Sequence, residues 1–174
     1  MVIVESKLGD VAQAALSRFA NRARKAVGLA VDVNVLVTSS EALRELNRRF
    51  RGKDKATDVL SFPSALDGFG GDIAISADIA RENGEKLGHG TATELKILIL
   101  HGMLHLAGYD HESDNGSMER KERQLRTELG LPEGLIERNL QSEGREKRIT
   151  PTKSGRVKRA STNNAGVRAR RRKR

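Results

Sequence analysis

TATELKILILHGMLHLA, residues 91 to 107, is the most informative segment of this chain for predicting its fold. A threonine stands at its start as a candidate N-cap, an almost wholly apolar run follows, and Gly108 supplies a C-terminal stop. A helix that is apolar on nearly every side belongs in the interior of a domain. We therefore predict a central, buried helix from Thr91 to Ala107.

The flanking segments show strand and helix patterns in turn. The predicted strands are VIVE (2–5), VDVNVLV (31–37), DVLSFP (58–63) and IAIS (73–76). The other predicted helices span about 10–27, 41–50, 77–88 and 117–130. The helix over 41–50 should be capped by Ser39 or Ser40 and packed through Leu43, Leu46 and Phe50. This order predicts an α+β fold in which helices pack on a small mixed sheet.

The charge of the chain is unevenly distributed. The net charge is +9, but residues 145–174 alone hold 13 Lys and Arg against one Glu, a net +12. Such a segment cannot bury enough apolar surface to offset its ordering entropy, so we predict that it is disordered. With 174 residues in all, we expect one folded domain over residues 1–144 and a basic tail over 145–174.

The composition also limits the chemistry. The chain has no cysteine, which excludes disulfides, thiolate nucleophiles and cysteine-ligated zinc. Any metal site must use His, Asp or Glu. The N-terminus lacks the pattern of a signal peptide, and no apolar stretch approaches the roughly 18 residues of a membrane span. We therefore expect a cytoplasmic protein with no membrane partner.

Three of the four histidines lie in HGMLHLAGYDH, residues 101 to 111. On a helix, His101 and His105 project about 40° apart and one turn along the axis, so both can reach one metal ion. A turn at Gly108 could bring His111 over the same face as a third ligand. Three protein ligands leave a fourth position open, as in catalytic zinc sites. The alternative is an accidental spacing of ordinary histidines, which the glycine at the required turn disfavours.

The spacing differs from the metalloprotease signature HExxH, because Gly102 stands where that signature has its general-base glutamate. Peptide hydrolysis by that mechanism is therefore disfavoured. A glycine in a helix interior costs about 1 kcal/mol relative to alanine, so Gly102 indicates that another part of the chain approaches the helix closely. The fourth histidine, His89, has no spacing partner, and we predict an exposed loop residue.

HGMLHLAGYDH resembles the signature of the YbeY family of bacterial single-strand-specific endoribonucleases. RGKDKATDVLSFP (51–63) and GDIAIS (71–76) look like the other two sequence blocks of that family, in the same order. The resemblance covers roughly residues 30–130, and three ordered blocks make a chance match improbable. The basic tail is not part of the family pattern.

The resemblance implies a zinc-dependent endoribonuclease of late ribosomal RNA processing. The family acts in 3′-end maturation of the small-subunit 16S rRNA and in ribosome quality control, so the implied partners are single-stranded RNA, rRNA and the small ribosomal subunit. It implies one zinc ion per chain on His101, His105 and His111, and it places Arg51 in the catalytic cleft. The planar donor fork of Arg51 suits the scissile phosphate.

Three further residues are weaker candidates. Asp110 could orient a ligating imidazole or assist proton transfer, or it could simply shape the turn. Lys53 and Lys55 could extend a phosphate track, and a solvated loop is an equal alternative.

Few aromatic residues are available to hold RNA bases, and Phe19 and Phe50 fall on apolar helix faces. We therefore expect RNA recognition through phosphates and shape rather than a base-stacking platform. The basic tail would add salt-dependent affinity for RNA, unless it is only a solubilising extension. Two other functions remain open: a non-catalytic rRNA-binding assembly factor with a structural zinc ion, and a zinc hydrolase of another substrate.

Overall fold

The computed structural model describes residues 1–5, 13–111 and 113–132. Their strands and helices follow one another in the predicted order, which confirms the α+β class. The elements are β1 (Val2–Val4), α1 (Gln13–Val27), β2 (Asp32–Thr38), α2 (Ser40–Arg51), β3 (Val59–Pro63), β4 (Phe69–Ser76), α3 (Ala77–Leu87), α4 (Thr91–Leu106) and α5 (Ser117–Leu129). The predicted start of the first helix near residue 10 and the basic tail lie outside the described residues. No helix in the described ranges is both long and apolar enough to cross a membrane.

The four strands form one mixed sheet in the order β1-β2-β4-β3. β2 pairs in parallel with both β1 and β4, and β3 pairs antiparallel with β4 at the edge. β4 begins at Phe69, earlier than the predicted start at Ile73. The residues before Ile73 already belong to the strand, because Gly71 pairs with Pro63 and its missing side chain leaves room for the carbonyl of Phe62.

The sheet separates two apolar layers. On one face, alternate strand residues such as Val35 and Ile73 join α1 and α4 in the main core, and on the other face Leu60 and Ala74 pack with Leu43 of α2. α4 is the most enclosed helix, as its nearly continuous apolar sequence predicts, with a buried run from Ile97 to Leu104. The prediction of a central buried helix is confirmed.

The prediction that Phe50 packs into the core is wrong. Ser39 caps α2 by accepting a hydrogen bond from the amide of Ala42 at 3.2 Å, and Leu43 is fully buried. Phe50 continues the same helical stripe two turns later, yet 58% of it is exposed. Phe50 lies beyond the buried part of this helical face, where its ring contacts that of Phe62 on the edge strand β3.

The predicted threonine cap of the central helix is also wrong, because Thr91 is already helical. The N-cap is Gly90, with φ of 74° and no side-chain cap. The amide groups of His89 and Gly90 both donate to the carbonyl of Gly84. A Cβ atom at Gly84 would lie 2.7 Å from the Gly90 backbone. The α3–α4 turn is therefore so tight that a glycine, rather than a residue with a capping side chain, occupies the N-cap position.

Candidate metal centre

α4 places His101 and His105 one turn apart. Their Nε2 atoms are 3.1 Å from each other, and the ring centroids are 4.8 Å apart. Between them in sequence, Gly102 faces the sheet, where a Cβ atom would come within 2.8 Å of Ile73. The hydroxyl of Ser61 donates to the Gly102 carbonyl at 3.3 Å. The close approach predicted from this glycine is therefore that of the sheet itself.

The turn after α4 brings a third histidine to the same place. Gly108, with φ of 89°, lets the chain reverse while its amide still donates to the carbonyl of His105 at 3.0 Å. The ring of His111 then lies 5.6 Å from that of His101 and 5.3 Å from that of His105. One nitrogen from each ring falls in a group whose atoms all lie within 4.8 Å of one another. This three-histidine group could hold a metal ion.

Hydrogen bonds to the Nδ1 atoms of His101 and His105 determine which ring nitrogens have a lone pair available for a metal ion. His105 Nδ1 lies 3.0 Å from the carbonyl oxygen of Tyr109, which can only accept, so Nδ1 carries the proton. His101 Nδ1 lies 3.0 Å from Oε2 of Glu122, an ionised carboxylate that likewise only accepts. In the neutral rings, both Nε2 atoms therefore present lone pairs to each other.

Two lone pairs at 3.1 Å repel unless a cation lies between them. Two zinc–nitrogen bonds of about 2.0–2.1 Å at a tetrahedral angle hold their nitrogens about 3.3 Å apart. The observed separation of the His101 and His105 nitrogens is close to that value, so this pair fits a small divalent ion. His101 is buried, His105 is half-buried and His111 is exposed, so the site opens to solvent on the side of His111.

Glu122 and Arg126, on α5, complete the buried side of the centre. Arg126 donates to Glu122 Oε1 from Nε at 2.8 Å and from Nη2 at 2.6 Å, and both residues are 1% exposed. Burial acts to raise the pKa of Glu122, but the hydrogen bond from His101 and the charges of His101 and Arg126 outweigh it and lower that pKa to about 2. The carboxylate is thus ionised and orients His101.

The pKa of His105 is lowered to about 4, chiefly by burial and further by the neighbouring His101 and His111. A low pKa keeps this imidazole neutral near pH 7, and neutral imidazole is the form that binds metals. The electrostatics of the site thus favour a metal over a proton.

The other predicted site residues lie in the turn after α4, and at the end of α2 and in the loop that follows it. Arg51 is the last residue of α2 and is exposed, at the start of the loop that leads to β3. Asp110 accepts the hydroxyl of Ser113 at 2.8 Å, and its charge acts on His105. Lys53 and Lys55 are exposed in the same loop as Arg51. Catalytic roles for Arg51 and Asp110 stay predictions.

His89 lies in the loop between α3 and α4 as predicted, but the prediction that it is exposed is wrong. Its Nε2 lies 2.7 Å from Oε2 of Glu94, its side chain is only 14% exposed, and that of Glu94 is fully buried. The pair links the α3–α4 turn to the first part of α4. No sequence pattern indicates the His89–Glu94 pair, because a His and a Glu five residues apart approach each other only through the bend at Gly90.

The contacts of Glu122, Arg126 and the Tyr109 carbonyl at the metal centre were not predicted from the sequence. On α5, Glu122–Arg126 and Glu119–Arg123 have the same i,i+4 spacing, so in the sequence the buried pair cannot be distinguished from the partly exposed one. Only the packing of α5 on α4 distinguishes them. A backbone carbonyl has no sequence signal at all.

The fold and site define a small α+β protein with a three-histidine group able to hold a metal ion and open on one side. A family model described as Endoribonuclease YbeY matches residues 2–130, well over half of the chain. The chain therefore belongs to the endoribonuclease YbeY family.

Curated relatives carry the same family name, and a solved structure resembles this chain. An Endoribonuclease YbeY of Koribacter versatilis is 62% identical over 138 residues, covering 79% of this chain and 91% of the relative. One from Solibacter usitatus is 52% identical over 124 residues, covering 71% and 84%. A Thermotoga maritima protein solved in solution matches with a TM-score of 0.54 and 29% identity, covering 90% of this chain and all of that one.

Proposed function

We propose that this chain is a zinc-dependent endoribonuclease that cuts single-stranded ribosomal RNA in the cytoplasm. By the family resemblance, its role is late rRNA processing at the 3′ end of the 16S rRNA of the small subunit, together with ribosome quality control. The observation that carries the proposal is the convergence of three histidine nitrogens within 4.8 Å. Two of those histidines are held by Glu122 and Tyr109 so that their lone pairs face one point.

In this proposal His101, His105 and His111 would hold one zinc ion, and such an ion would supply Lewis acidity toward a phosphoryl oxygen and lower the pKa of water. Glu122 fixes the tautomer and orientation of His101 from the buried side. The exposure of His111 leaves a path for an RNA strand.

Arg51 would bind the scissile phosphate through its guanidinium fork. Within the described ranges its side chain makes no ion pair with a carboxylate, whereas Arg44 and Arg48 on the same helix pair with Asp54 and Glu45. Arg51 is thus a cation of α2 that can accept a phosphate without first giving up a carboxylate. Asp110 remains a candidate for proton transfer, since its charge already acts on His105.

The test combines metal analysis with a cleavage assay on single-stranded rRNA fragments. We expect about one zinc ion per chain and cleavage that a chelator abolishes. His105→Ala should lose both the metal and the cleavage. Arg51→Ala should keep the metal and lose about 10²–10³ in kcat, the usual cost of removing a donor to transition-state charge.

Two matched controls separate chemistry from folding. His89→Ala removes the one histidine outside the cluster, and Arg48→Ala removes a cation of α2 that is already paired; both should keep metal and cleavage. Zinc present in a wild type that binds RNA without cutting it would instead indicate a non-catalytic assembly factor. Turnover of a peptide or small phosphoester without RNA cleavage would indicate another zinc hydrolase.

A further inference from the structure

Phe50 is an exposed aromatic ring in a cationic setting. It is 58% exposed, it contacts Phe62 edge-on with centroids 5.3 Å apart, and the guanidinium of Arg49 lies 5.4 Å from its centroid. We call Phe50, Phe62 and Arg49 the Phe50 platform. A ring this exposed leaves an aromatic surface on which a planar base can stack.

The platform and the metal centre lie on opposite faces of the sheet, and both adjoin the edge strand β3. On α4, Gly102 faces the sheet at β3 and β4, while Met103 lines a cavity with Ala20 of α1. Successive helical residues differ by about 100°, so His101 projects from the flank of α4 that is turned away from α1. Given the strand order β1-β2-β4-β3, that flank is the side of β3.

Neighbouring residues of β3 connect the two sites. Ser61 points to α4, where it donates to the Gly102 carbonyl, and Phe62 points to the opposite face, where it packs with Leu43 and Phe50. A strand of RNA that passes the open side of the metal centre and crosses the β3 edge therefore meets the exposed ring of Phe50.

The surrounding charge favours a nucleic acid as the occupant. Arg51, Lys53 and Lys55 follow Phe50 directly, and in the described part of the chain their side chains make no ion pairs. An exposed aromatic ring next to unpaired cations is the arrangement by which proteins bind single strands, with bases on the ring and phosphates on the cations.

We propose that the Phe50 platform is a base-stacking subsite that holds one base of the single-stranded RNA substrate beside the metal centre. It rests on the endoribonuclease function proposed above and reverses the expectation, from the sequence, of recognition without base stacking. Phe62 contacts the ring edge-on and Arg49 lies over one face of it, so the base would stack on the other face while Arg51 binds an adjacent phosphate. The subsite would take any base, because every base has a stacking face.

The test is a base-removal scan with the metal-loaded, full-length protein. Single-stranded RNA oligonucleotides each lack one base, and KM and kcat for cleavage are measured with wild type, Phe50→Leu and Phe50→Tyr. We expect one position at which base removal raises the wild-type KM about tenfold. Phe50→Leu should raise KM similarly on intact RNA, be insensitive to base removal at that position, and leave kcat within about twofold. Phe50→Tyr should restore the wild-type pattern, and Leu87→Ala, an exposed apolar residue on α3, should not disturb it.

The outcomes separate this subsite from the proposed function. If the wild type cuts RNA and Phe50→Leu leaves KM unchanged, or lowers the affinity for every oligonucleotide equally, the subsite is refuted and the nuclease stands. A lowered unfolding temperature of Phe50→Leu with an unchanged KM would mean that another part of this chain covers the ring. If the wild type binds zinc but cuts nothing, quenching of 2-aminopurine RNA by wild type, and its absence with Phe50→Leu, still decides whether a base stacks there.

Discussion

The two ends of α4 each carry a contact between a histidine and a buried glutamate. At the N-terminal end His89 lies 2.7 Å from Glu94, and in the C-terminal half His101 lies 3.0 Å from Glu122. Burial, distance and residue types are alike. The surroundings differ, because Glu122 also binds Arg126, and His101 turns its other nitrogen toward His105 at 3.1 Å.

A carboxylate–imidazole contact is therefore not by itself evidence of a functional site. At the N-terminal end the pair links a tight turn to the helix. Near the C-terminal end the same contact fixes a ring whose free nitrogen meets two others. The convergence of the nitrogens, rather than the carboxylate, distinguishes the candidate metal centre.

Glu122→Ala should produce the largest effect of any change to either pair. It leaves the guanidinium of Arg126, 1% exposed, without its carboxylate, and breaking a buried ion pair in this way costs about 3–5 kcal/mol. Urea denaturation of the metal-free protein measures the loss without the contribution of bound metal.

Glu119→Ala is the matched control, because Glu119 pairs with Arg123 at the same spacing on the same helix but with partly exposed side chains. Exposed pairs of this kind contribute at most about 1 kcal/mol. Equal losses in the two variants would show that the Glu122–Arg126 pair is not buried as described.

Replacing either glutamate with glutamine is a milder change, and the two variants should differ in zinc affinity. Glu122→Gln keeps the shape and removes the charge that holds the Nδ1 proton of His101, so zinc affinity should fall about 10- to 100-fold. Glu94→Gln makes the same change at the other end and should leave zinc affinity within about twofold. Competition with a chromophoric chelator measures both, and a similar fall in both variants would contradict a metal centre confined to one end.

The same comparison shows how far the sequence alone could predict the structure. Element order, the buried α4 and the convergence of three histidines follow from local rules: apolar continuity, i,i+4 spacing and a glycine at the turn. These rules need only a few consecutive residues, so they were correctly applied without knowledge of the tertiary fold.

The failures share a different cause. His89, Phe50 and the Glu122–Arg126 pair depend on where one element ends relative to another. Phe50 keeps the helical period of the apolar face of α2 but extends past the edge of the sheet. Helical periodicity identifies a face, and only the tertiary fold shows how much of that face is covered.

His89→Ala should produce the smallest effect and is the last test of the difference between the ends. It removes a hydrogen bond to a buried carboxylate at a site that is 14% exposed, where water can partly replace the imidazole, so we expect a loss of about 1 kcal/mol in the free energy of unfolding. Zinc content and the kcat for RNA should match the wild type, because no atom of His89 belongs to the three-histidine group. A fall in zinc affinity with His89→Ala would contradict this expectation. It would mean that α4 couples its first turn to its last, so that the two His–Glu pairs are not energetically independent.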